Sequence, residues 1–144
     1  MSKKIIFMGT STFAVPILKS LNQNGFPINL VYTQPPKKSH RGQKINKSPV
    51  QDISETLNID FRSPQSLKNS TEEYDFLKKM NADLAIVVSY GQIIPKKFLS
   101  LIKKGFINIH ASILPKWRGA VPIQRAIMNL DSEIGISIMK INEE

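Results

Sequence analysis

Two side chains whose functional groups could take part in catalysis, Asn108 and His110, stand two residues apart in the stretch FINIHASILPKWRGAVPIQ (106–124). Alternate residues of a β-strand share one face, so an apolar strand over 105–109 is expected to leave the amide and the imidazole side by side at its carboxyl end. An imidazole changes its charge near neutral pH, and an amide N–H can donate to an oxygen that is becoming negative. The pair therefore predicts acyl transfer to an amine without a covalent nucleophile.

Other chemistries are excluded or disfavoured by what the sequence lacks. It has no cysteine, which excludes disulfides and thiolate catalysis, and no serine stands in a G-x-S-x-G context. Its two histidines have no clustered carboxylates beside them, so no metal site is predicted. The turn GTSTFA after the first apolar run has one glycine and does not match the G-x-G-x-x-G pattern of dinucleotide sites.

The predicted site lacks one part, because a catalytic histidine usually has a carboxylate that orients it. Glu143 and Glu144 are the nearest candidates downstream. Between them and the strand, Trp117 and Arg118 stand among prolines and a glycine, which favours a shaped loop over the site.

The elements that position these residues follow from the spacing of apolar residues. Ser70 and Glu73 indicate a capping box, and the helix that follows is expected to bury Phe76, Leu77 and Met80. The predicted strands are 4–8, 29–33, 59–61, 84–88, 105–109 and 134–141, and the predicted helices are 13–21, 50–57, 70–80, 96–102 and 121–129. This alternation predicts an α/β, doubly wound domain with a mostly parallel sheet. Its ligand crevice would lie beyond the carboxyl ends of the strands, where Asn108 and His110 are expected.

Length and composition predict one compact cytoplasmic domain. The chain has 144 residues, 41% of them hydrophobic, which is enough for a proper core. No apolar run approaches the roughly 20 residues that cross a bilayer, so no membrane association is expected. The N-terminal apolar run is too short for a signal peptide.

The net charge of +9, from 20 basic and 11 acidic residues, favours polyanionic partners or acidic small molecules, although a lysine-rich composition is an equal alternative. The segment 34–49 has no apolar period, and loops of this length are usually functional or disordered. It could hold a phosphate backbone or be a solvated surface loop. Its cations are Lys37, Lys38, Arg41, Lys44 and Lys47.

At these residues the chain resembles the formyltransferase family that uses 10-formyltetrahydrofolate, and within it the members that act on methionyl-tRNA. The resemblance covers essentially the whole chain. It is carried by IIFMGTSTFAVPIL, VYTQPPKKSHRGQKINKSPV, VVSYGQIIPK and INIHASILPKWRGAVPIQRAI. It implies a Rossmann-like formyltransferase fold and formyl transfer from 10-formyltetrahydrofolate to the α-amine of initiator methionyl-tRNA, with no metal.

The resemblance also implies roles for individual positions. Asn108 and His110 match the catalytic amide and imidazole, and Gly9 and Thr10 match the turn near the methionyl moiety. The pterin pocket and folate loop are matched by Tyr90, Gly91, Gln92, Ile93, Ile94, Ser112, Ile113, Leu114 and Pro115. The tRNA-binding insertion is matched by Lys37, Lys38, Arg41, Lys44 and Lys47.

Two parts of the family pattern are missing, a catalytic aspartate expected two residues past Glu144 and a C-terminal tRNA-binding domain. Residues 1–144 are therefore expected to be a partial N-terminal domain, incomplete at its C-terminus, with little activity, from a protein that is monomeric at full length. The alternatives are a formyltransferase for an amino-sugar nucleotide or glycinamide ribonucleotide, and a non-catalytic folate- or RNA-binding module. The basic loop counts against a small acceptor.

Overall fold

The computed structural model describes residues 2–38 and 44–142. The strands are β1 (Ile5–Gly9), β2 (Ile28–Tyr32), β3 (Lys37–Lys38), β4 (Ile45–Asn46), β5 (Phe61–Arg62), β6 (Leu84–Val88), β7 (Phe106–His110) and β8 (Ser137–Ile141). The helices are α1 (Ala14–Gln23), α2 (Pro49–Thr56), α3 (Thr71–Met80), α4 (Lys96–Leu99) and α5 (Pro122–Met128). Within these described ranges, no helix is both long and apolar enough to cross a membrane.

Six strands form one twisted sheet in the order β5-β2-β1-β6-β7-β8. The first five run parallel to one another, and β8 pairs antiparallel with β7. Strand order reverses direction on either side of β1, which places a crevice beyond the carboxyl ends of β1 and β6. The predicted α/β fold with a mostly parallel sheet is confirmed.

The two central strands are buried on both faces, as expected for parallel strands covered by helices. All five residues of β1 and four of the five in β6 are buried. Ile6 and Met8 face a core that includes Leu77 of α3, while Phe7 faces a second core with Leu18 of α1. The strand ends at the crevice are therefore anchored in a packed core.

The helix α3 differs from its prediction on its buried side. Ser70 caps it as expected, accepting a hydrogen bond from the Glu73 backbone N–H at 3.2 Å. The Glu73 side chain turns inward, where it accepts 2.8 Å bonds from Arg62 and a 2.6 Å bond from the Tyr32 hydroxyl. Leu77 is buried, but Phe76 is 37% exposed, with the Arg62 guanidinium stacked on its ring at 4.1 Å.

The basic segment is also more ordered locally than its sequence indicated. Lys37 and Lys38 pair antiparallel with Asn46 and Ile45, which forms the short β3–β4 ribbon. Arg41 lies outside the described residues. The remaining boundaries agree with prediction to within a few residues, and β6 matches it at both ends.

Candidate active site

A crevice of about 780 Å³ opens beyond the carboxyl ends of β1, β6 and β7. This volume lies in the range that small-molecule and cofactor sites occupy. Asn108 and His110 both line it, opposite Thr10 and Gln34 from the ends of the first two strands. The structure therefore brings the two predicted catalytic side chains into the same crevice.

Strand pairing fixes the positions of both residues on β7. Asn108 pairs with Val87 of β6 and with Met139 of β8, and His110 pairs with Ser137. Both residues are half-buried. Because β7 extends one residue further than predicted, His110 is its last residue and belongs to the sheet, and the rigid backbone of three strands holds the pair on one face.

His110 has a hydrogen-bond partner that dictates its tautomer. Its Nε2 lies 2.8 Å from the backbone carbonyl oxygen of Trp117. A carbonyl can only accept, so Nε2 must carry the proton and donate it. In the neutral ring Nδ1 is then unprotonated, and no hydrogen bond to it occurs within the part of the chain that the structure describes.

The loop after β7 is tied down by serine hydroxyls. The Ser112 hydroxyl donates to the Lys116 carbonyl at 2.7 Å. The Ser137 hydroxyl donates to the Ser112 carbonyl at 2.7 Å and accepts from the Leu114 N–H at 3.0 Å. These bonds give the loop a fixed shape over the end of β7.

Some residues of the predicted folate loop are buried and others are exposed to solvent. Ser112 is buried and its hydroxyl is used within the loop, whereas Ile113 is 45% exposed. The crevice wall on this side consists of Ala111 and residues 119–124. The predicted folate-loop residues Ser112, Ile113, Leu114 and Pro115 are not among the residues that line the crevice.

Three strand ends meet at one backbone carbonyl, that of Tyr90. The Thr10 hydroxyl donates to it at 2.7 Å and the Gln34 side-chain amide at 3.1 Å. The Gln34 backbone N–H in turn donates to the Thr10 hydroxyl at 3.2 Å. Sequence reasoning placed Gln34 at the crevice end of the second strand but assigned it no role or contact.

Two glycines allow this close approach. A Cβ on Gly9 would lie 2.8 Å from the Phe7 ring and 2.9 Å from the Val88 carbonyl oxygen. Gly91 has a φ of +80°, and a Cβ there would collide with the Gln34 amide. Both predicted positions therefore require glycine for steric reasons at the crevice.

The segment 90–94 contributes mixed surfaces. The Tyr90 ring is buried in the core, and burial, with the Glu73 carboxylate adding to it, raises the pKa of the phenol. Gln92 donates to the Pro64 carbonyl at 3.0 Å. Ile93 is 89% exposed, and it lines the crevice together with Gly91, Gln92 and Ile94.

The basic ribbon borders the crevice directly. A second hollow of about 580 Å³ is lined by Lys37, Lys38 and Lys47, and it shares Thr10 and Gln34 with the crevice. Lys47 pairs with Glu55 at 2.9 Å, both exposed, and the pKa of Glu55 is lowered by Gln51 and then by Lys47. Lys44 is exposed beside β4.

No carboxylate contacts His110 directly within residues 2–38 and 44–142. Glu143 and Glu144 lie outside the described residues. Asp131, just after α5, accepts from the Trp117 indole N–H at 2.5 Å, and the Trp117 carbonyl accepts from His110. Over residues 2–38 and 44–142, no three His, Cys, Asp or Glu residues cluster as metal ligands would.

Comparison with known proteins places this geometry in a family. The sequence profile of the formyl transferase family matches residues 3–144. A methionyl-tRNA formyltransferase of Pelagibacter ubique (strain HTCC1062) is 68% identical over the whole chain, which covers 46% of that protein. One from Coxiella burnetii (strain RSA 331 / Henzerling II) is 51% identical over 99% of the chain, which covers 45% of it. The chain thus spans less than half the length of these curated relatives.

Solved structures share the fold. Phosphoribosylglycinamide formyltransferase from Bacillus halodurans superposes with a TM-score of 0.75 at 18% identity, over 99% of this chain and 73% of that one. A formyltetrahydrofolate deformylase from Pseudomonas syringae pv. tomato gives 0.70 at 20% identity, over 100% of this chain and 47% of the other. The chain belongs to the formyl transferase family.

Proposed function

We propose, from membership of this family, that the chain carries the catalytic part of an enzyme that moves a formyl group from 10-formyltetrahydrofolate to the α-amine of initiator methionyl-tRNA. The observation that carries the proposal is the placement of Asn108 and His110 on one face of β7, in a crevice that continues into the basic ribbon. The 68% and 51% identities to methionyl-tRNA formyltransferases support the choice of acceptor.

The protein must stabilise a negatively charged oxygen and move one proton during the reaction. The neutral α-amine attacks the formyl carbon and forms a C–N bond, which gives a tetrahedral intermediate with a negatively charged oxygen. Asn108 donates its amide N–H to that oxygen, and the half-buried site strengthens this bond. The intermediate then collapses by breaking the bond between the formyl carbon and N10 of the folate.

His110 moves the proton that the amine loses. With Nε2–H held by the Trp117 carbonyl, Nδ1 has the free lone pair that accepts this proton. The imidazolium then gives it to N10 as tetrahydrofolate leaves, so the charge balances over the cycle. The aspartate that the resemblance places beyond Glu144 would complete the site.

The two substrates are assigned to different parts of the crevice. Tetrahydrofolate lies against Gly91, Gln92, Ile93 and Ile94, where apolar surface and an amide are both available. The acceptor end of the tRNA approaches over Lys37 and its neighbours, with the methionyl group beside Gly9 and Thr10. Cations on a ribbon that borders the crevice suit a phosphate backbone. We place the enzyme in the cytoplasm, as a monomer whose further domain contributes to tRNA binding.

The test is formylation of methionyl-tRNA by the native-length gene product, with 10-formyltetrahydrofolate as donor and glycinamide ribonucleotide as a competing acceptor. We expect turnover with the tRNA, and its loss in His110→Ala with folate affinity largely kept. Turnover with the nucleotide instead would select the small-acceptor alternative, for which the fold similarity to phosphoribosylglycinamide formyltransferases is the supporting observation. Folate binding without turnover on either acceptor would select a binding module.

A further inference from the structure

We propose that Asp131 is a positioning residue for His110, which it reaches through Trp117: by holding the indole, it aims the Trp117 carbonyl at the imidazole and selects the Nε2–H tautomer. The consequence for catalysis rests on the proposed function. The selection of the tautomer is a property of the chain alone, and it can be measured without any substrate.

The connection is a continuous set of short hydrogen bonds. Asn129 donates its side-chain amide to one oxygen of Asp131 at 2.6 Å, and the Trp117 indole N–H donates to the other at 2.5 Å. The Trp117 carbonyl then accepts from His110 Nε2 at 2.8 Å. Asp131 is fourteen residues from Trp117 in sequence, so this contact joins the end of α5 to the loop after β7.

Trp117 adopts a backbone conformation that it does not favour. Its φ is +54°, in the left-handed region that a bulky residue rarely occupies. Such residues persist only when their surroundings hold them, and they concentrate at functional sites. Here the indole bond to Asp131 provides the hold, and the orientation it maintains is the one that turns the carbonyl toward His110.

Asp131 is suited to this role because it stays ionised. The Trp117 indole N–H, and after it the Asn129 amide, lower the pKa of the Asp131 carboxyl. A carboxylate accepts more strongly than a neutral oxygen, so both bonds are charge-assisted at neutral pH. The carboxylate makes no hydrogen bond to the imidazole and acts on it through the orientation of the Trp117 carbonyl.

The sequence gives His110 no direct carboxylate partner within the described residues, and this arrangement explains how its tautomer is nevertheless fixed. Without the Trp117 carbonyl at a defined position, a neutral imidazole exchanges between its two tautomers. Only the Nε2–H form leaves Nδ1 able to accept the proton of the attacking amine. A mixture of tautomers would lower the fraction of enzyme that is ready to react.

The experiment reads the tautomer directly by ¹⁵N–¹H NMR of the 144-residue chain at a pH where His110 is neutral. His40→Gln in every sample leaves a single histidine. Four variants are compared on this background: Asp131→Ala, Asp131→Asn, Trp117→Phe, and Asp75→Ala as a control that removes an exposed carboxylate on α3. The indole N–H resonance of Trp117 reports on its bond to residue 131 in the same spectra.

We expect a protonated Nε2 and an unprotonated Nδ1 in the parent chain and in Asp75→Ala. Asp131→Ala and Trp117→Phe should lose this pure pattern and show averaged ring-nitrogen signals. Asp131→Asn, whose side-chain oxygen still accepts from the indole, should restore it. In the native-length enzyme the same two disruptive variants should lower kcat by up to about a hundredfold with little change in KM.

Two results would overturn the proposal. One is an Nδ1–H tautomer in the parent chain. The other is an unchanged Nε2–H tautomer in Asp131→Ala while the indole resonance shows that its bond is broken. If Asp131→Ala fails to fold, Trp117→Phe decides, because it keeps an aromatic ring and the carboxylate and removes only the indole donor. Absence of formylation by the parent enzyme would reject the proposed function and leave the tautomer result standing.

Discussion

The crevice has two walls of different construction. The inner wall is formed by the ends of β1, β2 and β6, whose strands are buried in the core and whose ends share the Tyr90 carbonyl. The outer wall is formed by residues of β7, β8 and α5 and by Ala111 and residues 119–121 of the loop between β7 and α5. Of the seven residues of α5 only Ala126 is buried, and Ile138 and Met139 of β8 are 68% and 42% exposed.

Because the two walls are held in different ways, substitutions in them are expected to affect different properties, the free energy of unfolding for the inner wall and the geometry of the site for the outer wall. On the inner wall, side chains are held by close packing, so a substitution there is expected to cost folding free energy. On the outer wall, a few polar side chains hold the loop and His110 through hydrogen bonds. A substitution there is expected to change the geometry of the site more than the free energy of unfolding.

The largest expected effect sets Phe7 of the inner wall against Ile138 of the outer one. Phe7 is fully buried, and Phe7→Ala should lower the free energy of unfolding by about 3–5 kcal/mol, since it removes a packed ring and leaves a cavity. Ile138 is 68% exposed, and Ile138→Ala should change it by less than about 0.5 kcal/mol. Urea unfolding measures both. Equal costs would show that the outer wall is packed in solution and would remove the distinction.

The next effect is on catalysis. Asn108→Ala should lower kcat of the native-length enzyme by about 10²–10³-fold, because it removes a donor to the developing oxyanion. The free energy of unfolding should change little, since Asn108 is half-buried on the outer wall. Asn22→Ala, at an exposed position of α1, is the matched control for loss of an amide. If Asn108→Ala loses stability as severely as activity, its role is in packing.

A smaller effect is expected from alanine at two glycines, Gly9 and Gly135, where an added Cβ would meet its nearest atoms at similar distances. A Cβ on Gly9 meets the Val88 backbone oxygen at 2.9 Å, whereas one on Gly135 meets the Ile113 side chain at 2.8 Å. Gly9→Ala should destabilise by about 1–3 kcal/mol, because a backbone oxygen in the sheet cannot move aside. Gly135→Ala should cost less, because Ile113 is 45% exposed and can rotate. Thermal unfolding of the pair ranks the rigidity of the two walls.

The smallest effect is the response to acid. Burial raises the pKa of Glu73, but the bonds from Arg62 and Tyr32 outweigh it, and the net pKa lies below the ordinary value of 4.5. A carboxyl whose folded-state pKa is lowered contributes stability above its unfolded pKa, and that contribution is lost as pH falls through the folded value. The chain should therefore lose stability below pH 4.5, and Glu73→Gln should flatten this part of the curve.

The matched control for the acid response is on the outer wall. The pKa of Asp131 is also lowered, by Trp117 and Asn129, but this carboxylate is half-buried whereas Glu73 is buried. Asp131→Asn should therefore flatten the acid limb of stability less than Glu73→Gln does. An acid limb that follows Asp131 and ignores Glu73 would contradict the contrast between the walls. Denaturation followed by circular dichroism from pH 7 to pH 3 distinguishes these results.

The sequence predicted the inner parts of the fold better than the contacts at the site. Both ends of the strand 84–88 were predicted correctly, because a strand that is buried on two faces appears in the sequence as an unbroken run of apolar residues. The presence of Asn108 and His110 in one crevice was also predicted, because alternate residues of a single strand lie on the same face. The roles assigned to these two residues remain proposals.

The missed features depend on residues that are distant in sequence. Gln34 meets the Tyr90 carbonyl across 56 positions, and no local pattern encodes that contact. The link from Asp131 to His110 passes through a backbone carbonyl, which every residue possesses and no motif marks. Phe76 was expected in the core, but Glu73 took the inward position because Arg62 and Tyr32 satisfy its charge.

The position of β1 in the sheet has a consequence for how the chain is made. Its neighbour β2 is synthesised soon after it, but its other neighbour is β6, which the ribosome produces much later. At 5–20 residues per second, the interval between completing β2 and completing β6 is roughly 3–11 s. During that interval a strand that is buried along its whole length in the folded protein has one open edge, so the nascent chain is most exposed to aggregation, and to chaperone capture, before the crevice is complete.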